Sequence, residues 1–305
     1  MTQKKLRWAV MGLGLQGNRL VNAITSSRST KLITTTSERE KGSFVRALKD
    51  KKIDAVVIAT PNDQHTKQVI AAARAGKHIL CEKPLALSIR EVRAIAQTVK
   101  KNRVRCFVNF HLRMHPEVQK AKKLIAQKKF GDIAYIEMQW SIGGLAQKNL
   151  PVLPLHMRWR ENIAQAGGGT LVGRSVHLFD LLRFLTGQEV REVRAWSNTT
   201  RTTVDRTAIG IFTLRSGVPA VITTSKSIPD ADNRIVIYGT KDKLVLRDLF
   251  TADPHTMYVA VFDAFADALC GKKTPLATLE DGIAAVAMTE VFIASAKHKR
   301  AEIIR

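Results

Sequence analysis

Leu6-Arg7-Trp8-Ala9-Val10-Met11-Gly12-Leu13-Gly14-Leu15-Gln16-Gly17 decides the fold of this chain. An apolar run of strand length ends on Gly12, and a helical pattern with Leu20, Val21 and Ile24 on one face begins just behind Gly14. A strand, a glycine turn of GxGxxG spacing and a helix in that order are what a dinucleotide-binding unit requires. Gly12 permits the tight turn, Gly14 the approach of backbone to a pyrophosphate, and Gly17 close packing of helix on strand, with Leu15 and Gln16 opening the helix that faces the anion. The plainer reading is a structural glycine-rich turn.

Working outward, short apolar runs alternate with amphipathic stretches. Strands are expected at Leu6–Met11, Leu32–Thr36, Ala55–Ala59, His78–Leu80 and Val104–Asn109, and helices at Leu15–Ser26, Gly42–Lys51, Asp63–Ala75 and Ser88–Lys101. That alternation predicts a parallel sheet. A helix over Pro116–Gln127 leads into a different pattern. One helix, Gly168–Leu185, sits among strands at Ile133–Ser141, Val190–Ser197, Ala208–Leu214, Ala220–Ser225, Arg234–Tyr238 and Lys243–Leu246, which suggests an antiparallel sheet. Helices at Met257–Cys270 and Leu279–Lys297 close the chain, and the irregular stretch Gly143–Gln165 is long enough to cover a site.

At the end of the second strand, such a unit places the group that meets the adenosine ribose. Ser37 holds that position, with Glu38 and Arg39 behind it. A small neutral residue next to an arginine accepts a 2′-phosphate that a carboxylate would repel, so NADP is favoured over NAD. Glu38 taking the NAD role, or a merely solvated turn, are the other readings.

The chain has 305 residues with a formal net charge of +23, 45% hydrophobic and 25% charged. At about 150 residues per domain this is a two-domain globular chain, not a disordered polycation. Three scattered cysteines, Cys81, Cys106 and Cys270, exclude a disulfide scaffold and fit a reducing compartment, hence a cytoplasmic location. No apolar run approaches the ~20 residues of a membrane span. The basic opening Lys4-Lys5-Leu6-Arg7 has the outline of a leader, but glycines break the apolar stretch and no cleavage site follows. The positive charge suggests an acidic partner. With 6% aromatic residues and basic runs such as Lys120–Lys123 not interleaved with rings, nucleic acid is disfavoured. His111, His115, His156 and His177 form no metal-ligand pattern, so no metal is expected.

Two further segments are more specific. Ala59-Thr60-Pro61-Asn62-Asp63-Gln64-His65 and Ala75-Gly76-Lys77-His78-Ile79-Leu80-Cys81-Glu82-Lys83-Pro84 closely resemble the glucose-fructose oxidoreductase, inositol dehydrogenase and rhizopine-catabolism (Gfo/Idh/MocA) family. Asn109-Phe110 with Arg113 and His115-Pro116, Arg158-Trp159-Arg160, Gly167-Gly168-Gly169 with His177 and Asp180, and Thr278-Leu279-Glu280-Asp281-Gly282 follow in the family's order, so the resemblance spans nearly the whole chain.

The resemblance implies an α/β chain: a Rossmann-like parallel-sheet domain, residues 1–115, then an α+β domain with an open-faced, mostly antiparallel sheet, residues 116–305. It implies oxidation of a sugar or cyclitol hydroxyl, or reduction of the matching ketone, with NAD or NADP, in carbohydrate metabolism. It also implies a homo-oligomer, dimer or tetramer, formed through the open sheet. Thr60, Pro61, Asn62 and His65 would lie by the cofactor, and Glu82, Lys83 and Pro84 by the nicotinamide.

Hydride transfer at a carbinol carbon needs a proton moved at its oxygen. His177 suits that role, and Lys83 would hydrogen-bond the oxygen and stabilise developing charge. The plainer readings are a helix histidine and a surface lysine. Arg113, Arg158 and Arg160 would flank a substrate carrying phosphate or carboxylate.

Two departures from the family stand out. Only about 18 residues separate Thr36 from Ala55, too few for another helix and strand, so the strand beside the second one is expected to be missing. The family's Asp four residues before the histidine is Gly173 here, leaving Asp180, one turn beyond, as a residue that orients or packs. Loss of turnover, leaving a ligand-binding sensor, is the alternative to an enzyme.

Overall fold

The computed structural model describes residues 5–37, 40–142, 153–199, 203–228, 231–251 and 253–304. From the N-terminus run β1 (Leu6–Met11), α1 (Leu15–Ser26), β2 (Thr30–Thr36), α2 (Ser43–Lys49), β3 (Ala55–Ile58), α3 (Asn62–Arg74), β4 (His78–Cys81), α4 (Ile89–Asn102) and β5 (Cys106–Val108), then a 3-10 turn at His111–Met114. Next come α5 (Pro116–Ala126), β6 (Ile133–Ser141), a 3-10 turn at Leu155–Glu161, α6 (Ile163–Ala166), a π-helical turn at Leu171–Ser175, α7 (Val176–Thr186), β7 (Val190–Ser197), β8 (Thr207–Leu214), β9 (Pro219–Ser225), β10 (Arg234–Gly239) and β11 (Lys243–Arg247). The chain closes with α8 (His255–Leu269), β12 (Ala277–Thr278), α9 (Leu279–His298) and β13 (Glu302–Ile303).

Two compact units result: residues 1–114 with 253–283, and residues 115–252 with 284–305. The division at 115/116 expected from sequence makes no allowance for 253–283, which belongs to the first unit. The physical reason is aromatic. Phe262 and Phe265 of α8 pack edge-on against Trp8 of β1 at ring-centroid distances of 5.0 and 4.7 Å, and Phe265 also meets Phe107 at 5.1 Å. Each such pair contributes about 0.5–1.5 kcal/mol beyond its buried area.

In the first unit the sheet order is β2-β1-β3-β4-β5-β12, parallel except for the antiparallel β12. All four residues of β3 are buried, as a strand covered on both faces must be. On α1, Gly17, Leu20, Ala23 and Ile24 are buried at helical spacing. Helix α4 is started by Ser88, whose Oγ accepts from the Glu91 N–H at 3.3 Å, while Glu91 Oε2 accepts from the Leu87 N–H at 2.9 Å. The strand order reverses between β1 and β3, the place where open α/β sheets bind ligands beyond their carboxyl ends. Among the described residues β2 is the edge strand, and the passage to β3 carries only the seven-residue α2.

The second unit holds a sheet of order β11-β10-β6-β9-β8-β7-β13. It is antiparallel except where β6 lies parallel to β9, with Ile136 opposite Ala220 and Ser141 opposite Ser225. One face is covered: Phe179 of α7 meets Phe212 of β8 at 5.1 Å and Phe292 of α9 at 6.2 Å. The other face exposes Trp196 (55%), Ile209 (40%) and Ile211 (49%). The single helix expected over Gly168–Leu185 is instead a π-helical turn leading into α7. No described helix is long and apolar enough to cross a membrane.

Candidate active site

The glycine turn sits at the carboxyl end of β1, beside that of β3. The Ala59 N–H donates to Met11 O at 2.8 Å and the Gly12 N–H to Thr36 O at 3.0 Å. Gly12 has φ +94°, and a Cβ there would lie 2.8 Å from Ala59 O. A Cβ on Gly17 would lie 1.8 Å from Gly12 O. These two glycines are required by packing. Gly14 differs: a Cβ on it meets nothing within 4 Å, and it caps α1 with no side-chain hydrogen bond. Backbone N–H groups at the start of a helix, next to open space, fit the pyrophosphate of a dinucleotide.

The Glu82 carboxylate ties the turns together. Its Oε1 accepts from Gln16 Nε2 at 2.9 Å and from Asn109 Nδ2 at 2.6 Å, and its Oε2 from the Lys83 N–H at 3.2 Å. Tyr258 of α8 joins the group: burial, then the charge of Glu82, push its phenol up to about 12 against the opposing donors Gln16 and Arg19. The phenol is therefore protonated at neutral pH. His111, tilted against Tyr258 at 4.7 Å, is pushed down to about 3, by burial first and then by the Lys83 cation, so it is neutral.

His65, expected as a cofactor contact, is fully buried. Its Nδ1 is 2.7 Å from Pro84 O and its Nε2 3.1 Å from Thr60 O, so the ring joins the two turns from beneath. Thr60 Oγ1 donates to Gln68 Oε1 at 2.7 Å; Pro61 and Asn62 start α3, and the Lys83–Pro84 bond is cis. Ser37 O accepts from the Glu40 N–H at 3.1 Å and Ser43 Oγ at 3.2 Å, while Glu38 and Arg39 lie outside the described residues. Arg113 is 5% exposed and pairs with Asp281 Oδ2 at 3.0 Å, a structural ion pair where the sequence reading places a substrate contact.

In the second unit, His177 is buried in the first turn of α7, its ring 5.5 Å from that of Trp140, which stacks on Phe250 at 4.3 Å. The turn before it is anchored by Asp205, which is 0% exposed. Asp205 Oδ1 and Oδ2 accept from the N–H groups of Gly169 at 2.6 Å and Leu171 at 2.7 Å, and its carbonyl from that of Thr170 at 3.1 Å. A Cβ on Gly169 would lie 1.8 Å from Asp205 O. The glycine triplet is thus a docking surface for Asp205. Asp180 is 1% exposed, a packing position rather than an open one. Arg158 and Arg160 are exposed, Arg158 donating to Leu153 O at 3.4 Å and Arg160 lying 5.1 Å from the Trp159 ring. Gly173 has nothing within 4 Å of a Cβ. Tyr258, Asp205 and Trp140 were not singled out from sequence, since each acts through residues far away in the chain.

Residues 6–110 match the oxidoreductase family with NAD-binding Rossmann fold, and residues 118–245 the GFO/IDH/MocA C-terminal domain. The chain is 28% identical over 303 residues to 1,5-anhydro-D-fructose reductase of Ensifer adhaerens, covering 90% of this chain and 88% of that one. It is 25% identical to inositol 2-dehydrogenase of Rhizobium meliloti (strain 1021), covering 97% and 98%. Among solved structures, an oxidoreductase domain protein from Kribbella flavida superposes with TM-score 0.88 at 22% identity, over 99% of this chain and all of that one. Levoglucosan dehydrogenase in complex with NADH and levoglucosan gives 0.87 at 21%, over 99% and 100%. With both halves matched in order and with this sheet pair, the chain belongs to the Gfo/Idh/MocA oxidoreductase family.

Proposed function

We propose that this protein is a nicotinamide-dependent oxidoreductase acting on a sugar-like alcohol or ketone. The observation that carries the reading is the glycine turn, closed by packing at Gly12 and Gly17 and open above Gly14, beside the Glu82–Gln16–Asn109 group. Bound there, the cofactor supplies or accepts the hydride. The chain's own work is the proton. Lys83 donates a hydrogen bond to the reacting oxygen, and His177 removes or returns the proton on that oxygen. The ring wall of Trp140 and Phe250 beside His177 supports a sugar, whose C–H faces pack on aromatic surfaces.

NADP is the favoured cofactor, from the small neutral Ser37 and the Arg39 that follows. The relatives' activities, on anhydrofructose and inositol, support a polyol-like ring as substrate. Arg158, Arg160 and Gly173 are proposed to flank or shape the substrate space, with the buried Asp180 orienting from behind, the protein to assemble as a homo-oligomer through the open sheet, and the location to be cytoplasmic.

The test is a panel of sugars and cyclitols with NAD and NADP, followed by nicotinamide absorbance. His177→Asn is expected to lower kcat by about 10²–10⁴ while cofactor binding stays. Cofactor binding with no turnover on any panel member, and no effect of Lys83→Ala, would point to a ligand sensor.

A further inference from the structure

In the second unit, two cations lie near His177 without an ion pair among the described residues. Arg174 belongs to the π-helical turn, three residues before His177. Its guanidinium reaches over the ends of β6 and β9, with Nη2 3.3 Å from Ile142 O and Nη1 3.5 Å from Ser225 O. Lys226 directly follows Ser225 at the end of β9. In register, Trp140 stands opposite Thr224 and Ser141 opposite Ser225, so both cations are at the end of the sheet where Trp140 meets His177.

The neighbouring carboxylates are already engaged. Asp205 holds the N–H groups of Gly169 and Leu171, and Glu161 pairs with Arg206 at 3.4 Å. Among the described residues, three cations, Arg174, Lys226 and Arg206, therefore face two carboxylates. Burial lowers the pKa of both Arg174 and Lys226; on Lys226 the carboxylates of Glu161 and Asp205 act against this, and the charges of Arg174 and Arg206 act with it. Half-buried like charges that have no ion pair of their own among the described residues cost stability, a cost that a ligand's counter-charge offsets. Gly173, the residue before Arg174, adds no side chain to crowd the turn, and a Cβ there would touch nothing within 4 Å.

We propose that Arg174 and Lys226 form an anion subsite beside His177, so that the substrate is a sugar derivative bearing a carboxylate or phosphate. This rests on the oxidoreductase reading and names its substrate class. Arg174 has guanidinium N–H groups beyond the two long contacts to carbonyls, and a planar fork suited to either anion. The Trp140 and Phe250 rings would take the sugar's apolar face.

The test is calorimetric titration of the full-length protein, saturated with NADH, with D-glucose, D-glucuronate, D-glucose 6-phosphate and inorganic phosphate. At least one anionic sugar is expected to bind about tenfold or more tightly than glucose, the preference shrinking as salt is raised. Glucuronate and glucose 6-phosphate separate a carboxylate from a phosphate as the recognised group. Arg174→Gln and Lys226→Gln are each expected to cost that sugar about tenfold while leaving NADH affinity unchanged, and Arg174→Lys to restore part of it. The unchanged NADH affinity certifies a folded protein and keeps the cofactor reading separate. Equal binding of glucose and all the anions, no binding of any anion, or an anion affinity indifferent to both substitutions would overturn the subsite.

Discussion

The side-chain amide of Gln16 donates to the carboxylate of Glu82 at 2.9 Å, joining the glycine turn after β1 to the turn after β4. The same oxygen accepts from Asn109, which is 1% exposed. One carboxylate thus holds together three loops at the carboxyl ends of three strands.

Replacing that carboxylate tests whether it organises the cofactor site. Glu82→Ala leaves the amides of Gln16 and Asn109 without their acceptor, a loss of about 1–3 kcal/mol for the more buried of the two. A lower urea midpoint and weaker NADH binding are expected together. Glu82→Gln keeps one acceptor oxygen and should be milder on both. Unchanged NADH affinity in Glu82→Ala would show that the group only stabilises the fold.

The glycines before His177 separate into two kinds. Gly169→Ala drives a Cβ into the backbone of Asp205, so it should destabilise by about 1–3 kcal/mol or more, and lower kcat by disturbing the turn that presents His177. Gly173→Ala meets open space in a helical turn and should stay within about 1 kcal/mol of the parent, on the stabilising side. Thermal melts of the two variants decide this. Equal melting points would contradict the role given to Asp205.

Acid should destabilise the first unit through its buried histidines. His111 is held at about 3 when folded and returns toward 6.5 on unfolding. Between those values the unfolded chain binds the extra proton, so stability falls as pH drops from 6.5 toward 3, by about 1.4 kcal/mol per pH unit for one proton. His65, also lowered by burial, acts in the same direction. In His111→Asn the slope of urea stability against pH over that window should be shallower by about one proton. An unaltered slope would mean that His111 is solvated.

The uncovered face of the seven-stranded sheet gives a prediction on assembly. Trp196 lies opposite Ile209 on adjacent strands, and Ile211 opposite Val221, an apolar stripe of a kind that marks interaction surfaces. Light scattering should find a dimer or tetramer, and Ile211→Lys should shift it to smaller species with the melting point of the remaining fold little changed. A parent that is monomeric at all concentrations would exclude this face as a self-association surface.

Much of the frame was legible because its signals are local. The strands at Leu6–Met11, Ile133–Ser141 and Val190–Ser197 follow from apolar patterning, and α1 from the glycine turn and its buried stripe. The eighteen residues after Thr36 foretold an edge position for β2. What was not legible depends on distant partners. Periodicity marked a helix near α8 but not that Phe262 and Phe265 would return to Trp8. Nothing local to Arg113 tells of Asp281, and nothing in Gly168–Leu185 tells of the Asp205 carboxylate that goes with the π-helical turn. Arg174 and Lys226 read as ordinary surface charges until the ends of β6 and β9 are seen side by side.

The central claim is that the turn at Gly14 receives a dinucleotide pyrophosphate, and one pair of titrations tests it. A Cβ at Gly14 meets no atom, and an aspartate at a helix cap is favourable to the helix, so Gly14→Asp should fold at least as well as the parent. It would also set a negative charge where the pyrophosphate is to lie. Followed by nicotinamide fluorescence, the parent should bind NADH or NADPH saturably, and Gly14→Asp should bind at least about a hundredfold more weakly, as for the loss of a strong charge-assisted contact. A parent that binds neither nucleotide, or a Gly14→Asp protein that binds as the parent does, would contradict the account.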